Sequence, residues 1–521
     1  MTAPNGDDRR AFTSRTPTNE NPDRVAYRRG FVTRHQVSGW RFIMRRIASG
    51  VALHDTRMLV DPLRTQTRAV LVGALVLITG LAGCFIFSLI RPGGVAGNDA
   101  ILADRTTSAL YVRLGDQLHP VLNLTSARLI AGRPDNPSTV KTSEIDRFPR
   151  GNLIGIPGAP ERMVQNTTAD ADWTVCDGTS GPAAGVTLIA GSLTDGGERA
   201  AEFPPDEAVL VANASGPNAG TWLLWEGRRS AIDLNDRAVT GALGLGADAS
   251  AARPVAAGLF NSVPEAPALK APAIPGAGEP ARYQLPAPAR VGSVVTSFDA
   301  DNTLRHYAVL SEGLQPISGV VAAILRNTDS FGLDQPPRLD ADDIARLPVA
   351  NIIDNNAYPD EPITLVDAED APLTCAQWTR RADATSGALT LRSGVTLPVS
   401  DELRAVALVG AGSGTTANRV ALSPGRGYLV RSVGQDGGGA AASPSGTAYF
   451  WLSDTGVRYG LDEDTDQKTI AALGLNQPAL PIPWSMLSQF APGPTLSRAD
   501  ALLAHDALAA DPRPAVVRET P

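Results

Sequence analysis

AVLVGALVLITGLAGCFIFSLI, residues Ala69–Ile90, is a run of 22 residues without a charge. At about 1.5 Å of rise per residue, a helix of that length spans roughly 33 Å, enough for the hydrocarbon core of a bilayer. Arg64 and Arg68 precede the run; Arg91 and then Pro92-Gly93-Gly94 end it. It divides the chain into a short arm and a long C-terminal part of opposite charge. Residues 1–91 hold 14 Arg against 6 acidic residues, whereas the remainder holds 32 basic and 48 acidic. A basic arm alone could bind nucleic acid. Beside a membrane span it reads as the flank that stays cytoplasmic, so no nucleic-acid partner is expected. The expected location is the inner (plasma) membrane, single-pass, N-terminus cytoplasmic and C-terminal domain extracytoplasmic (periplasmic).

Two look-alike targeting motifs do not change this reading. Arg28-Arg29-Gly30-Phe31 resembles a twin-arginine signal, but no apolar run follows it directly. Leu81-Ala82-Gly83-Cys84 resembles a lipoprotein cleavage box, yet apolar sequence continues for six residues past the cysteine. Cys84 is therefore read as a small apolar residue of a retained anchor.

Ahead of the span, Val37, Trp40, Met44, Ile47 and Val51 recur at steps of 3 and 4, which places them on one face of a helix. Arg34, Arg41 and Arg45 fall on another part of its surface. Such a helix either lies on anionic headgroups or docks on a partner. The periodicity supports both readings equally.

Behind the span, Gly and Pro together make up 91 of the 521 residues, a composition of turns and strands rather than long helices. One pattern occurs four times. An aromatic residue (Tyr111, Trp222, Tyr307, Phe450) opens an apolar strand. A turn follows at Gly115-Asp116, Glu226-Gly227, Glu312-Gly313 and Asp454-Thr455-Gly456. A second strand and a short helix come next. A second signature then ends a helix on an apolar pair stopped by proline: Ile145/Phe148-Pro149, Phe260/Val263-Pro264, Ile344/Leu347-Pro348 and Leu487/Phe490 with Pro492.

The copies are interrupted rather than tandem. Strand-rich stretches with Cys176 and Cys375 separate copies one and two, and three and four. These stretches echo each other, Gly185–Ile189 against Gly387–Leu391, and are read as halves of one central β domain. The expected fold class is α+β: a single transmembrane helix plus an extracytoplasmic part of four interrupted ββαα-like repeats around a β-rich central domain. The expected boundaries are 1–23, disordered; 24–68, cytoplasmic amphipathic and basic segment; 69–90, transmembrane helix; 100–160, first repeat; and 161–220, first central half. They continue with 221–263, second repeat; 264–291, Pro/Ala-rich linker; 292–362, third repeat; 363–447, second central half; 448–502, fourth repeat; and 503–521, disordered tail. Cys176 and Cys375, one in each half and both outside the membrane, are read as a disulfide, the alternative being two buried thiols.

No catalytic constellation emerges. The sequence contains no Gly-x-x-x-x-Gly-Lys-Ser/Thr. Gly410-Ala-Gly412-Ser-Gly414 has Thr415 where a dinucleotide loop needs its third glycine, and Pro424 intervenes. Asp462-Glu-Asp464-Thr-Asp466 has Gln467 where a calcium loop needs its turn glycine. His35, His54, His119, His306 and His505 are scattered. No catalytic, cofactor-binding or metal residue is assigned.

The segment Thr33–Leu71, with VSGWRFIMRRIASGVALHDTRMLVDPLRTQTRAVL at its centre, resembles the juxtamembrane region of the EccB family, and so does Leu110–Ile130, LYVRLGDQLHPVLNLTSARLI. The similarity runs from about Arg24 to Leu502. The chain departs from the family's pattern at Ala48-Ser49-Gly50, where a more charged helix segment is usual, and in having only three lysines. The resemblance implies a structural core component of the ESX (type VII) secretion system of actinobacteria. Its implied partners are EccC-, EccD- and EccE-like membrane components, the mycosin protease, and other copies of its own outer domain. The family's repeats are likened to cell-wall-binding units, which implies peptidoglycan contact as an alternative role. Some members are named ATPases, so an unconventional ATPase is a further alternative, and only that reading calls for a cofactor, ATP.

Overall fold

The computed structural model describes residues 33–55, 62–90, 94–214, 217–246, 251–410, 416–435, 448–462, 468–508 and 514. The N-terminal 23 residues, the Arg28-Arg29 motif and most of the Gly410–Gly414 and Asp462–Asp466 stretches lie outside the described residues. The chain forms two compact units, residues 1–93 and 94–521.

The first unit contains two helices among the described residues. Arg34–Leu53 starts on a capping box: the Thr33 hydroxyl accepts from the Gln36 N–H, and the Gln36 side chain accepts from the Thr33 N–H. These bonds satisfy two donors that a helix start leaves orphaned. His54, in the left-handed region at φ 49°, ends it. The second helix, Pro62–Ile90, includes Gln66–Phe87, a stretch long and apolar enough to cross a membrane.

The second unit is β-rich. Its central sheet runs in the order Val406–Ala407, Arg419–Ala421, Gly185–Ala190, Ala171–Gly178, Leu373–Arg380, Ala388–Gly394, Ala201–Glu202. Two hairpins from distant parts of the chain meet at its middle, where Ala171–Gly178 lies antiparallel to Leu373–Arg380. The outer strands are exchanged. Arg419–Ala421 borders the N-terminal hairpin, and Ala201–Glu202 borders the C-terminal one. Neither half completes its own side of the sheet.

Four further sheets of three or more strands, and one of two strands, accompany this one among the described residues; the four are called the outer sheets. Each holds a hairpin: Leu110–Leu114 with Gln117–Pro120, Gly220–Trp225 with Arg228–Ala231, Leu304–Val309 with Leu314–Ile317, and Tyr449–Leu452 with Val457–Leu461. Beside the second strand of each hairpin runs a proline segment. The N–H groups of Leu118, Arg229 and Leu314 donate to the carbonyls of Pro149, Pro264 and Pro348, and in the fourth sheet the Gly493 N–H donates to the Arg458 carbonyl. Proline suits this edge because its carbonyl accepts while its missing N–H leaves no donor unpaired.

Three boundaries differ from the sequence reading. Glu207–Asn213 joins the second outer sheet, and Tyr428–Val433 joins the fourth, although both segments fall within the stretches assigned to the central domain. Each strand is buried on both faces and carries no alternation that names its partner. Ala504–His505, assigned to the tail, pairs with Leu153–Ile154, and His505 Nε2 lies 2.8 Å from the Gly155 carbonyl. Within 264–291, Ala281, Tyr283, Leu285, Ala287 and Ala289 pack against Val295 and Val309 of the third sheet.

The largest core lies where one face of the central sheet meets the second and fourth outer sheets. Trp173, Val175, Trp378 and Leu391 pack there with Trp222, Phe260, Val430, Ile482 and Phe490. Two further cores join the second sheet to the third and the first to the fourth. Glycine sets two of these approaches. A Cβ on Gly227 would meet the Leu389 carbonyl oxygen at 2.1 Å, and one on Gly456 would meet Val420 at 2.6 Å. Both glycines have positive φ, so two hairpin turns press onto central strands where no side chain fits.

Candidate functional site

The juxtamembrane helix presents an uncovered apolar face within its own unit. Trp40 is 64% exposed and Val51 75%, and Val37, Met44 and Ile47 are exposed with them. At 100° per residue these five side chains share one face. The neighbouring Ile43 is exposed too. The helix holds four arginines and no carboxylate. Arg34, Arg41 and Arg45 cluster along one margin of the apolar face, which gives it an apolar side and a cationic border. Such a surface can rest on anionic headgroups or fit an apolar partner groove with an acidic rim.

In the outer body, Cys176 and Cys375 face each other in register and are joined by a disulfide, both fully buried. Three residues along, Trp173 stands opposite Trp378. Cys84 is a free, exposed cysteine on the apolar helix.

Polar groups in the centre serve cohesion. Burial pushes the Asp177 carboxyl above the ordinary carboxylate range, against the pull of the Ala256 N–H that it accepts at 2.6 Å and of nearby Arg253. Burial likewise raises Asp172, whose Oδ1 accepts from Gln377. Arg253 donates to the carbonyls of Ala371 and Val366 and to Thr374 Oγ1, crossing between the halves. Arg229 binds the carbonyls of Phe260 and Val263 and packs its guanidinium on the Phe260 ring.

The histidines stay apart. His119 Nδ1 lies 3.0 Å from the Asn152 carbonyl. His306, lowered by burial and then by Arg326, sits in the third sheet. One surface escapes the sequence reading. Arg380, Arg381 and Arg431 line a common concavity of about 650 Å³. The available signal is Arg431 inside the apolar run Leu429-Val-Arg-Ser-Val433.

Comparison with known proteins identifies the architecture. The family model described as "Type VII secretion system ESX-1, transport TM domain B" matches residues 29–510. The chain is 67% identical over 516 residues to the ESX-3 secretion system ATPase EccB3 of Mycolicibacterium smegmatis, covering 99% of each chain. It is 61% identical to the protein of the same name from Mycobacterium tuberculosis, covering 98% of this chain and 96% of that one. Among solved structures, it resembles a chain of an intact ESX-5 inner membrane complex with a TM-score of 0.72 and 36% identity, covering 94% of this chain and 98% of the other. It also resembles the EccB3 dimer from the ESX-3 core complex, with a TM-score of 0.70 and 61% identity, covering 78% of this chain and all of that one. The chain belongs to the EccB family of type VII secretion proteins.

Proposed function

We propose that this protein is a structural core component of an ESX secretion complex in the inner membrane. The observation that carries this reading is its near-full-length likeness to a chain of an assembled ESX inner-membrane complex. The apolar helix Pro62–Ile90 is the anchor, its arginine-flanked N-terminal side is cytoplasmic, and residues 94–521 lie outside. The four outer sheets are copies of one ββαα-like unit, supported by the hydrogen bonds that recur at Pro149, Pro264 and Pro348. The outer body associates with further copies of itself, as its ESX-3 relative EccB3 does in the dimer from the ESX-3 core complex. EccC-, EccD- and EccE-like proteins are its membrane neighbours, and the mycosin protease is a neighbour outside. The Val37–Val51 face is its docking surface for the EccC- and EccD-like components.

Reporter fusions after Gly97 and at Pro521 should be active only as extracytoplasmic enzymes. Trp40→Asp with Met44→Asp places charge on the apolar face, which is costly once that face is covered by a partner. EccC- and EccD-like components should then be lost from the purified complex while the anchor still inserts. Undiminished co-purification assigns that face to lipid, and cytoplasmic reporter activity at either site overturns the topology. The relatives' names favour a second reading, an unconventional ATPase. Metal-dependent ATP turnover by the purified chain, abolished by substitutions that leave it folded, would establish that reading over a purely structural one.

A further inference from the structure

Arg431 occupies an inner strand, Tyr428–Val433, of the fourth outer sheet, between Tyr449–Leu452 and Leu480–Pro483. Alternation puts it on the same sheet face as Leu429 and Val433, and it is half-buried. An arginine so placed ordinarily has a carboxylate partner, because a guanidinium leaving water needs compensation. Among the described residues, neither Arg431 nor Arg381 forms an ion pair. Both open instead onto the 650 Å³ concavity, together with Arg380, Tyr449, Thr168 and Asn476. Arg380 is held there by its Nε, which donates to the Ala384 carbonyl at 3.0 Å.

The surroundings make this concentration of charge unusual. Beyond the apolar helix, acidic residues outnumber basic ones 48 to 32, yet the concavity is lined by three arginines and no carboxylate. Lysine is nearly absent from the chain, so its cations carry planar, five-donor forks suited to two-point recognition of carboxylate and phosphate oxygens. The remaining wall is largely apolar, and the volume falls within the range of small-molecule sites. That volume exceeds what a lone inorganic ion needs.

We propose that this concavity binds a compact polyanion, a small molecule bearing two or more phosphate or carboxylate groups. The guanidinium of Arg431 forms the inner contact and Arg381 the outer one. Tyr449, opposite Arg431 in the sheet, offers a hydroxyl to the same ligand.

The full chain, purified in detergent, is titrated at fixed ionic strength with inorganic pyrophosphate and separately with citrate, the heat of binding being measured. Saturable binding at about 1 mM or tighter is expected. Arg431→Gln and Arg381→Gln should each weaken it at least tenfold, and Arg346→Gln, at the end of the exposed helix Ala341–Arg346, should not. Arg431→Lys, which keeps the charge and loses the fork, should retain only part of the affinity. Binding of pyrophosphate alone assigns the site to phosphates, and binding of citrate alone to carboxylates. The absence of saturable heat with both anions overturns the proposal. So does binding that survives Arg381→Gln, an exposed substitution that leaves the fold intact.

Discussion

Asp177 shows how a single residue ties the central sheet to a helix packed on it, and at what cost. It lies on the strand that carries Cys176, nearly buried, and holds the Ala256 N–H just ahead of the helix Ala257–Ser262. Burial favours its protonated form, so the folded state binds this proton more tightly than the unfolded chain does. Its contribution to stability is therefore greatest below the ordinary carboxylate pKa. It declines as pH rises through the raised native value. Asp177→Asn keeps an oxygen for Ala256 and removes the charge. The variant should gain on the wild type in denaturant unfolding as pH rises from 4 towards 7, with Asp172 supplying the slope that remains. Parallel pH profiles for the two proteins would rule this out. None of this is legible in the sequence, because Asp177 reads as one more acidic residue near a turn. Cys176 and Cys375 are legible, because two cysteines in echoing segments outside a membrane constrain each other. Arg431 is legible only as an irregularity, a cation inside an apolar strand.

At the scale of elements, helices were readable where their period was long and strands where a turn punctuated them. Ala69–Ile90 needs no partner to be recognised, and the Val37–Val51 spacing matches the helix Arg34–Leu53. The hairpins are marked by their turns. The partners of Glu207–Asn213 and Tyr428–Val433 are not marked, because strand pairing is a non-local choice that a buried apolar run leaves open. Helix contacts are equally silent in the sequence. The helices Ala257–Ser262 and Trp484–Leu487 meet where Gln489 Nε2 donates to the Gly258 carbonyl, to Ser262 Oγ and to the Ser485 carbonyl. A Cβ on Gly258 would stand 2.3 Å from Gln489 Oε1. Gly258→Ala must therefore displace a buried amide and its bonds, and should destabilise the body by about 1–3 kcal/mol. Gly241, in the helix Arg237–Ala242, is the contrast: its added Cβ finds nothing nearer than 3.7 Å. Gly241→Ala should gain up to about 1 kcal/mol from helix propensity. Chemical denaturation of the two variants checks this, and equal effects would mean that the helix junction tolerates repacking.

Across the whole molecule, the arrangement of cores follows from the order of segments along the chain. The second sheet packs on the third, the fourth packs on the first, and the second and fourth meet over the central sheet. Each half of the chain thus contributes one inner and one outer sheet, and each lends an outer strand to the other's central hairpin. Such a body cannot separate into its sequence halves without breaking the central sheet and exposing the edge of Ala171–Gly178. The disulfide closes a separation of 199 residues, which the loop-entropy model values at about 5 kcal/mol, with residual unfolded structure reducing it. The exchanged strands and the shared core hold the same two halves independently of that bond. A protease site inserted at the exposed turn Gly276-Ala277 separates the two contributions. After cleavage the halves should run as one band on a non-reducing denaturing gel and as two after reduction. On size exclusion under native conditions the cleaved protein should elute as one body even when reduced, because strand exchange and the Trp173–Trp378 core persist. Cys176→Ala with Cys375→Ala should behave like the reduced form, with a lower thermal midpoint and no loss of association. Halves that part on native columns as soon as the disulfide is reduced would show that the covalent bond, and not the exchanged sheet, makes the outer body one unit.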